Sequence, residues 1–567
     1  MKRHFRRLSW AFLSILLLGS SVVFVPTVQC ASFRPEKSTD GAVVATSKYA
    51  AEAGMRVLRE GGNAIDAAVA VGYTMAVTHP VAGNLGGGGF AVIRMADGTT
   101  ISLDFREMAP GKATRTMYLD AVGNVVPRLS LDGYLAAGVP GTVAGMNALI
   151  EKFGTKKLDY LMQAAINYAD KGFVISARNA ETFVEHKERL SKYASSRKYF
   201  LKPDGSTYKE GEVLVQKDLA KTLLLIARQG AKAFYEGPIA DLIEKDMRAN
   251  GGIMTKEDLK RYKPIWREPV RGSYRGFEIV SMGPPSSGGT HIIQMLNILE
   301  GYDLQTMGHN SAAAVNVMAE AMRFAYADRS EYMGDPDFVK VPVGTLTSKA
   351  YADKLRSRIQ RGRAVPSDQV RPGTSFPEGS NTTHYSVVDR WGNAVSITYT
   401  INDYYGSAAA VNGAGFLLNN EMDDFAIKPG VPNLYGLLGG DANAIEPYKR
   451  PLSSMSPSIV LKDHQVYMVL GSPGGPRIIT TVMQVMLNVI DHNMTIREAV
   501  DAPRVHLQWI PDELRIEKNG LNADTIEKLT AMGYKVQVKP NMGDVNAIMV
   551  DPKTKVFLRA SDPRNEF

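Results

Sequence analysis

The chain turns on Ser380-Asn381-Thr382-Thr383-His384-Tyr385-Ser386. A polar run punctuated by Pro and Gly, Arg361 to Gly379, comes before it, and an alternating strand pattern follows. A Thr at the first position of a strand, behind such a segment, suits a chain that is to be cut before Thr382. The hydroxyl would then be a nucleophile and the freed α-amino group its base. The pattern reads as strands at 382–389 and 393–402, joined by Arg390-Trp391-Gly392. That is a three-residue hairpin loop with Gly where positive φ is wanted. With the loop centred on Trp391, Thr382 falls opposite Thr400, β-carbons roughly 5 Å apart. Asn402 lies two residues on, on the same side. A slip of one residue would send Thr400 to the other face. On the hairpin alone, a Thr–Thr pair that merely stabilises a sheet remains open.

Other residues offer charge. Glu421 and Asp424 are three apart and share a face on one helical turn, so they attract a cation. Lys428 and a substrate ammonium are the candidates. Arg106 ends a predicted strand, 99–105, where it could meet a substrate carboxylate or pair with Glu107 at the surface. Gly471-Ser472-Pro473-Gly474-Gly475 turns a strand, 466–470, into a helix, 477–491. Backbone N–H groups at such a turn form an anion site. Pro476 suits the first helical position but brings no N–H. Ser472 is no serine-hydrolase nucleophile, because the Gly-x-Ser-x-Gly elbow fails at Leu470. The Gly-rich run 429–441, carrying Tyr435, reads as a mobile loop and a candidate lid.

These residues belong to a wider pattern: Gly61-Gly62-Asn63-Ala64-Ile65-Asp66, Gly86-Gly87-Gly88-Gly89-Phe90, Asp104-Phe105-Arg106-Glu107 and Gly138-Val139-Pro140-Gly141. Pro284-Pro285-Ser286-Ser287-Gly288-Gly289, Asn419-Asn420-Glu421-Met422-Asp423-Asp424-Phe425 and Pro451-Leu452-Ser453-Ser454-Met455 continue it. With Thr382-Thr383-His384-Tyr385-Ser386, this resembles the γ-glutamyltransferases (γ-glutamyltranspeptidases), which are N-terminal nucleophile hydrolases. The resemblance covers nearly the whole chain after residue 40.

It implies an α+β fold, a four-layer αββα sandwich of two stacked, mainly antiparallel sheets flanked by helices. It implies self-cleavage between Asn381 and Thr382 into a large chain, 31–381, and a small one, 382–567, that stay associated as a heterodimer. A dimer of such heterodimers is left open. Thr382 would attack the γ-glutamyl amide of glutathione or glutamine, Thr400 would orient its hydroxyl, and Gly474 and Gly475 would hold the oxyanion. Arg106, Ser453 and Ser454 match the carboxylate side of the substrate, and Asn402, Glu421 and Asp424 the ammonium side; Tyr435 joins the binding set. Water or the neutral amine of an amino acid or dipeptide would take the acyl group. Rival readings are a cephalosporin-type acylase, a poly-γ-glutamate-processing relative, and an exported, non-catalytic amino-acid or peptide-binding protein.

Several further elements must hold these groups. A strand at 42–46, a helix capped by Ser47 and ended by Gly61-Gly62, and a second helix capped by Asn63 read clearly. The run 83–89 lacks the Lys-Ser/Thr of a phosphate loop and reads as a close approach of backbones. Residues 142–262 are largely helical by pattern. Strands at 277–282 and 415–419 and helices at 291–300 and 311–327 follow. Arg361 to Gly379 reads as a linker.

Composition bounds the rest. At 567 residues, 44% hydrophobic and 22% charged, the chain is globular and large. Lys2, Arg3, Arg6 and Arg7 precede an apolar stretch, 8–28, the layout of a signal peptide over 1–30. An uncleaved anchor and a lipid on Cys30 are the alternatives. Loss of those four charges takes the net charge from +8 to +4, too mild to argue for nucleic acid. Cys30 is the sole cysteine, and no His pair is spaced as metal ligands, so neither metal nor cofactor is expected. The expected place is the periplasm or the medium.

Overall fold

The computed structural model describes residues 34–370 and 382–565. The proposed leader, the second half of the linker before the cut, Asn381 and the last two residues lie outside them. Two antiparallel sheets form the middle. The first has six strands, in the order Gly41–Ala45, Thr383–Asp389, Ala394–Thr400, Gly88–Arg94, Thr100–Phe105 and Ile265–Arg267. The second has seven: Glu36–Ser38, Phe557–Ser561, Asn546–Val550, Gln465–Leu470, Ser458–Lys462, Phe277–Ser281 and Val270–Tyr274.

Side-chain alternation explains the layering. Val43, Ala45, Tyr385, Val387, Val395 and Ile397 turn outward from the first sheet into a core shared with helices Lys48–Arg59, Ala64–Thr78 and Thr142–Phe153. The opposite face carries Ser386 and Ser396, which bond the second sheet directly. Ser386 Oγ donates to the Asn546 carbonyl at 2.9 Å and Ser396 Oγ to the Leu470 carbonyl at 3.1 Å. Small hydroxyls here let the sheets approach while every polar group finds a partner. Beyond the second sheet, helices Gly288–Leu299, Ala312–Tyr332 and Arg477–Ile490 close another core. The result is the expected αββα sandwich.

The hairpin has the expected register: Thr383 pairs with Tyr399, His384 with Thr398 and Ser386 with Ser396. Gly392 takes φ 93° in the loop. The run 83–89 is a backbone crossing, since a β-carbon on Gly87 would lie 1.9 Å from the Thr400 carbonyl oxygen. Asn63 caps its helix in a reciprocal box with Asp66. Ser47 precedes its helix but caps nothing; its hydroxyl bonds Thr78 at 2.7 Å instead.

Two expectations fail. Residues 415–419 form no strand; Leu417 and Leu418 make only isolated bridges, to Ala410 and Gly86. Alternation alone could not tell an extended loop from a ladder strand. The linker is also shorter than composition suggested. Ser367–Val370 is a short helix, and buried Ser367 donates to the Trp509 carbonyl and accepts from Arg323. Side-chain partners far along the chain order a segment that looks loose by composition.

Candidate active site

Thr382 precedes the first paired residue of its strand, and one more rung of the same register sets it opposite Thr400. Both are buried and line one small hollow. The Asn402 N–H donates to Thr400 Oγ1 at 2.8 Å, which uses one lone pair of that oxygen and leaves its proton for another acceptor. Asn402 adopts φ 74°, a conformation Asn tolerates, and its amide donates to the Asn420 carbonyl at 3.0 Å.

The same hollow is lined by Arg106, Glu421, Asp424, Tyr435, Ser453, Ser454 and Gly475. Gly474 lies on the other side, in a larger cleft that also reaches Thr382. Thus the sequence-selected residues meet at Thr382. The glycine turn carries φ 132° at Gly474 and 55° at Gly475, and Pro476 is tolerated before the helix that starts at Arg477. Tyr435 packs on this turn: a β-carbon on Gly475 would lie 2.8 Å from its ring. Tyr435 is buried, and its hydroxyl donates to the Asn402 carbonyl at 2.6 Å. The segment that reads as a free loop is therefore tied down. The Leu434 N–H donates to Asp423 at 2.8 Å and Asn433 Nδ2 to Asp424 at 2.9 Å.

Charge is arranged differently from the expectation. Glu421 and Asp424 do share a single 3₁₀ turn, but the cation they hold is Arg106, not Lys428, which donates to the Gly123 carbonyl. Arg106 and these acids were expected at opposite ends of a substrate; instead the guanidinium bridges both carboxylates, at 2.5 Å to Asp424. Glu107 stands 3.6 Å from Arg106, buried rather than at the surface. Burial alone would favour loss of the Arg106 proton. Its three acidic neighbours outweigh that and hold its pKa above the ordinary range. Burial pushes Glu107 up to about 7 and Glu421 well above its usual value, Arg106 opposing both.

A second arginine, Arg329, was not singled out in the sequence. It projects from helix Ala312–Tyr332 into the hollow. It donates to Ser287 Oγ at 2.9 Å and to Ser454 Oγ at 3.2 Å. Burial lowers its pKa to about 10, and among the described residues no carboxylate lies within ion-pair distance. Nothing local marks it, because a helical arginine reads as solvated until its neighbours are known.

The remaining motifs hold the site together. Ser287 donates through N–H and Oγ to the Ser453 carbonyl, at 2.8 and 2.7 Å. Asn419 Nδ2 binds the carbonyls of Gly86 and Gly138, both at 2.8 Å, while its Oδ1 accepts from the Gly138 and Glu421 N–H groups. Ser472 Oγ donates to the Pro473 carbonyl and accepts from the Asp544 N–H, a structural role. Among the described residues no group of three or more His, Cys, Asp or Glu could hold a metal ion, and no helix is long and apolar enough to cross a membrane.

The family model described as Gamma-glutamyltranspeptidase matches residues 50–566. The chain belongs to this family. It is similar to the glutathione hydrolase proenzyme of Escherichia coli (strain K12), with 52% identity over 94% of this chain and 92% of that one. The γ-glutamyltranspeptidase of Helicobacter pylori is 58% identical, covers 61% of this chain and 99% of its own solved chain, and superposes with a TM-score of 0.59. A cephalosporin acylase from Bacillus halodurans superposes with a TM-score of 0.84 over 96% of this chain and 98% of that one, at 28% identity. The sandwich is thus shared more widely than the sequence.

Proposed function

We propose that this chain is a self-cleaving γ-glutamyltransferase and glutathione hydrolase. The observation that carries the reading is Thr382 opposite Thr400, between a glycine turn and a buried pocket holding both signs of charge. In the precursor the Thr382 nitrogen is an amide and cannot be a base. Cleavage after Asn381 gives a large chain, 31–381, and a small chain, 382–567, and frees an amine with a pKa near 8. Such a base works at neutral to mildly alkaline pH.

Thr400 donates to the Thr382 hydroxyl oxygen and orients it. Thr382 Oγ attacks the γ-carbonyl, its proton passes to the α-amine, and the Gly474 and Gly475 N–H groups take the oxyanion, each such donor being worth roughly 3 kcal/mol. The leaving amine collects the proton. Water, or the neutral amine of an amino acid or dipeptide, then attacks the γ-glutamyl ester.

Ser453, Ser454 and Arg106 face the substrate α-carboxylate, and Arg329 adds positive charge behind Ser454. Asn402, Glu421 and Asp424 face the ammonium, the two carboxyl groups being those that Arg106 now bridges. This recognition of an amino-acid head group favours γ-glutamyl compounds over the side chains of an acylase substrate. The identity to the glutathione hydrolase proenzyme, 52% against 39% for the acylase ACY 1 proenzyme of Pseudomonas sp. (strain SE83), favours the same reading. The two chains form a heterodimer, and the basic, apolar N-terminus directs export.

Incubation of purified protein with glutathione, with and without glycylglycine, tests this. Glutamate should appear in both and γ-glutamyl-glycylglycine only in the second, and the small chain should begin Thr-Thr-His-Tyr. An uncut chain with full activity, or no product from glutathione or glutamine, would falsify the reading.

A further inference from the structure

The hollow around Arg106 opens at Thr382 onto a second space. That cleft has about 690 Å³ and is lined by Thr382, Gly474, Arg178, Glu181, Tyr404 and Arg564, among others. If the γ-glutamyl head lies toward Arg106, its carbonyl sits at Thr382 and its amine substituent must project into this cleft. The leaving and the attacking amine both occupy that side of the carbonyl, so one space serves both.

The walls are charged, but their arginines are not equivalent. Arg564 is filled: it bonds Glu517 through two nitrogens, at 2.7 and 2.6 Å, and Asp562 at 3.1 Å. Arg178 stands near the start of helix Ala177–Glu185, beside Tyr404, whose ring is fixed by stacking on His186 at 5.0 Å. Its ion pair is one bond of 3.3 Å to Glu181, a side chain 62% exposed. Such a pair contributes little, and an incoming carboxylate can replace it cheaply. A planar guanidinium with spare donors suits a carboxylate far better than an ammonium would.

We infer that Arg178 reads the free carboxylate of the acceptor dipeptide, and of the cysteinylglycine that leaves glutathione, in a subsite walled by helix Ala177–Glu185 and Tyr404. This rests on the proposed transferase reading. The amine nitrogen forms a bond to the γ-carbonyl carbon as the bond to Thr382 Oγ breaks. The proton shed by the amine passes through the Thr382 α-amino group to Oγ. Arg178 takes no part in these transfers; it sets where the amine stands. The 690 Å³ accommodates a dipeptide with room to spare.

The test compares glycylglycine with glycylglycinamide, which lacks the carboxylate, as acceptors from γ-glutamyl-p-nitroanilide. The ratio of their kcat/KM values is read in protein that has matured into two chains, so that each variant has demonstrably folded. The parent should favour glycylglycine by tenfold or more, the usual weight of a charge-assisted bond. In Arg178→Gln the ratio should fall below about threefold, and in Glu181→Gln, which releases the guanidinium, it should rise above the parent's. A parent with no preference, or an Arg178→Gln ratio equal to the parent's, overturns the subsite. If Arg178→Gln does not mature, an unchanged or lower ratio in Glu181→Gln overturns it instead. A parent that releases nothing from any γ-glutamyl donor refutes the enzyme reading itself, a distinct result.

Discussion

The hollow on the Arg106 side of Thr382 has about 20 Å³ of room, enough for roughly one water, whereas the cleft on the Arg178 side has about 690 Å³. In the small one buried Arg106 bridges two carboxyl groups; in the large one Arg564 is filled, while Arg178 holds a single ion-pair partner that is itself exposed. The contrast teaches where selectivity resides. In the tight pocket, a substrate must take over contacts that Arg106, Glu421 and Asp424 now make among themselves, so only a group carrying both charges can enter without leaving a buried ion unpaired. In the cleft a missing contact costs about tenfold without leaving a buried ion unpaired, so more than one kind of amine can be accepted. The tight pocket must also expand to admit a head group.

The division breaks entirely if Thr382 is not the point where the two spaces meet. Thr382→Ala should remain one uncut chain on denaturing gels and release no glutamate from glutathione. Measurable turnover in that variant would put the nucleophile elsewhere. The next largest effect concerns the tight side. Arg106→Lys cannot bridge both carboxylates, and leaving a buried pair unmatched costs about 3 kcal/mol. KM for the γ-glutamyl donor should rise on the order of a hundredfold while self-cleavage persists; parental kinetics would remove Arg106 from the pocket.

A smaller effect separates the pocket floor from its lid. Asp423 accepts from Ser130 Oγ and from the Leu434 N–H, yet burial dominates and pushes its pKa up to about 7. The folded state thus binds this proton more tightly than the unfolded chain does. Stability is highest when the group is protonated, declines as pH rises from about 4 to about 7, and is level above. Glu107 adds to the same slope. Asp423→Asn should flatten the Tm–pH profile across that window. An unaltered slope would show that Asp423 does not titrate there. Smallest of all, Tyr435→Phe removes one bond, to the Asn402 carbonyl, worth about 1 kcal/mol. A several-fold change in KM for the donor with maturation intact is expected, and no change would mean that the ring alone seals the hollow.

Much of this was legible in the order of residues. The hairpin register followed from alternation and a glycine loop: the period of two keeps Tyr385, Val387, Val395 and Ile397 on one side, and the loop length selects among the even shifts. The capped helix from Ala64 to Thr78 and the 3₁₀ turn of Glu421 and Asp424 were legible because each is set by neighbours in sequence. The extended loop 415–419 was misread because the same alternation serves a bridge and a strand.

Sequence by itself determined which short segments carry chemistry, through local rules of pattern, cap and turn, and through motifs whose likeness to a family covers most of the chain. Tertiary structure alone decided who meets whom. It paired Arg106 with the two acids, brought Arg329 to Ser454, buried Tyr435 and set Arg178 in one cleft with the glycine turn. Those contacts join residues tens to hundreds of positions apart, and the energy of a charge depends on burial and on the partner it finds, neither of which is written in its immediate neighbours.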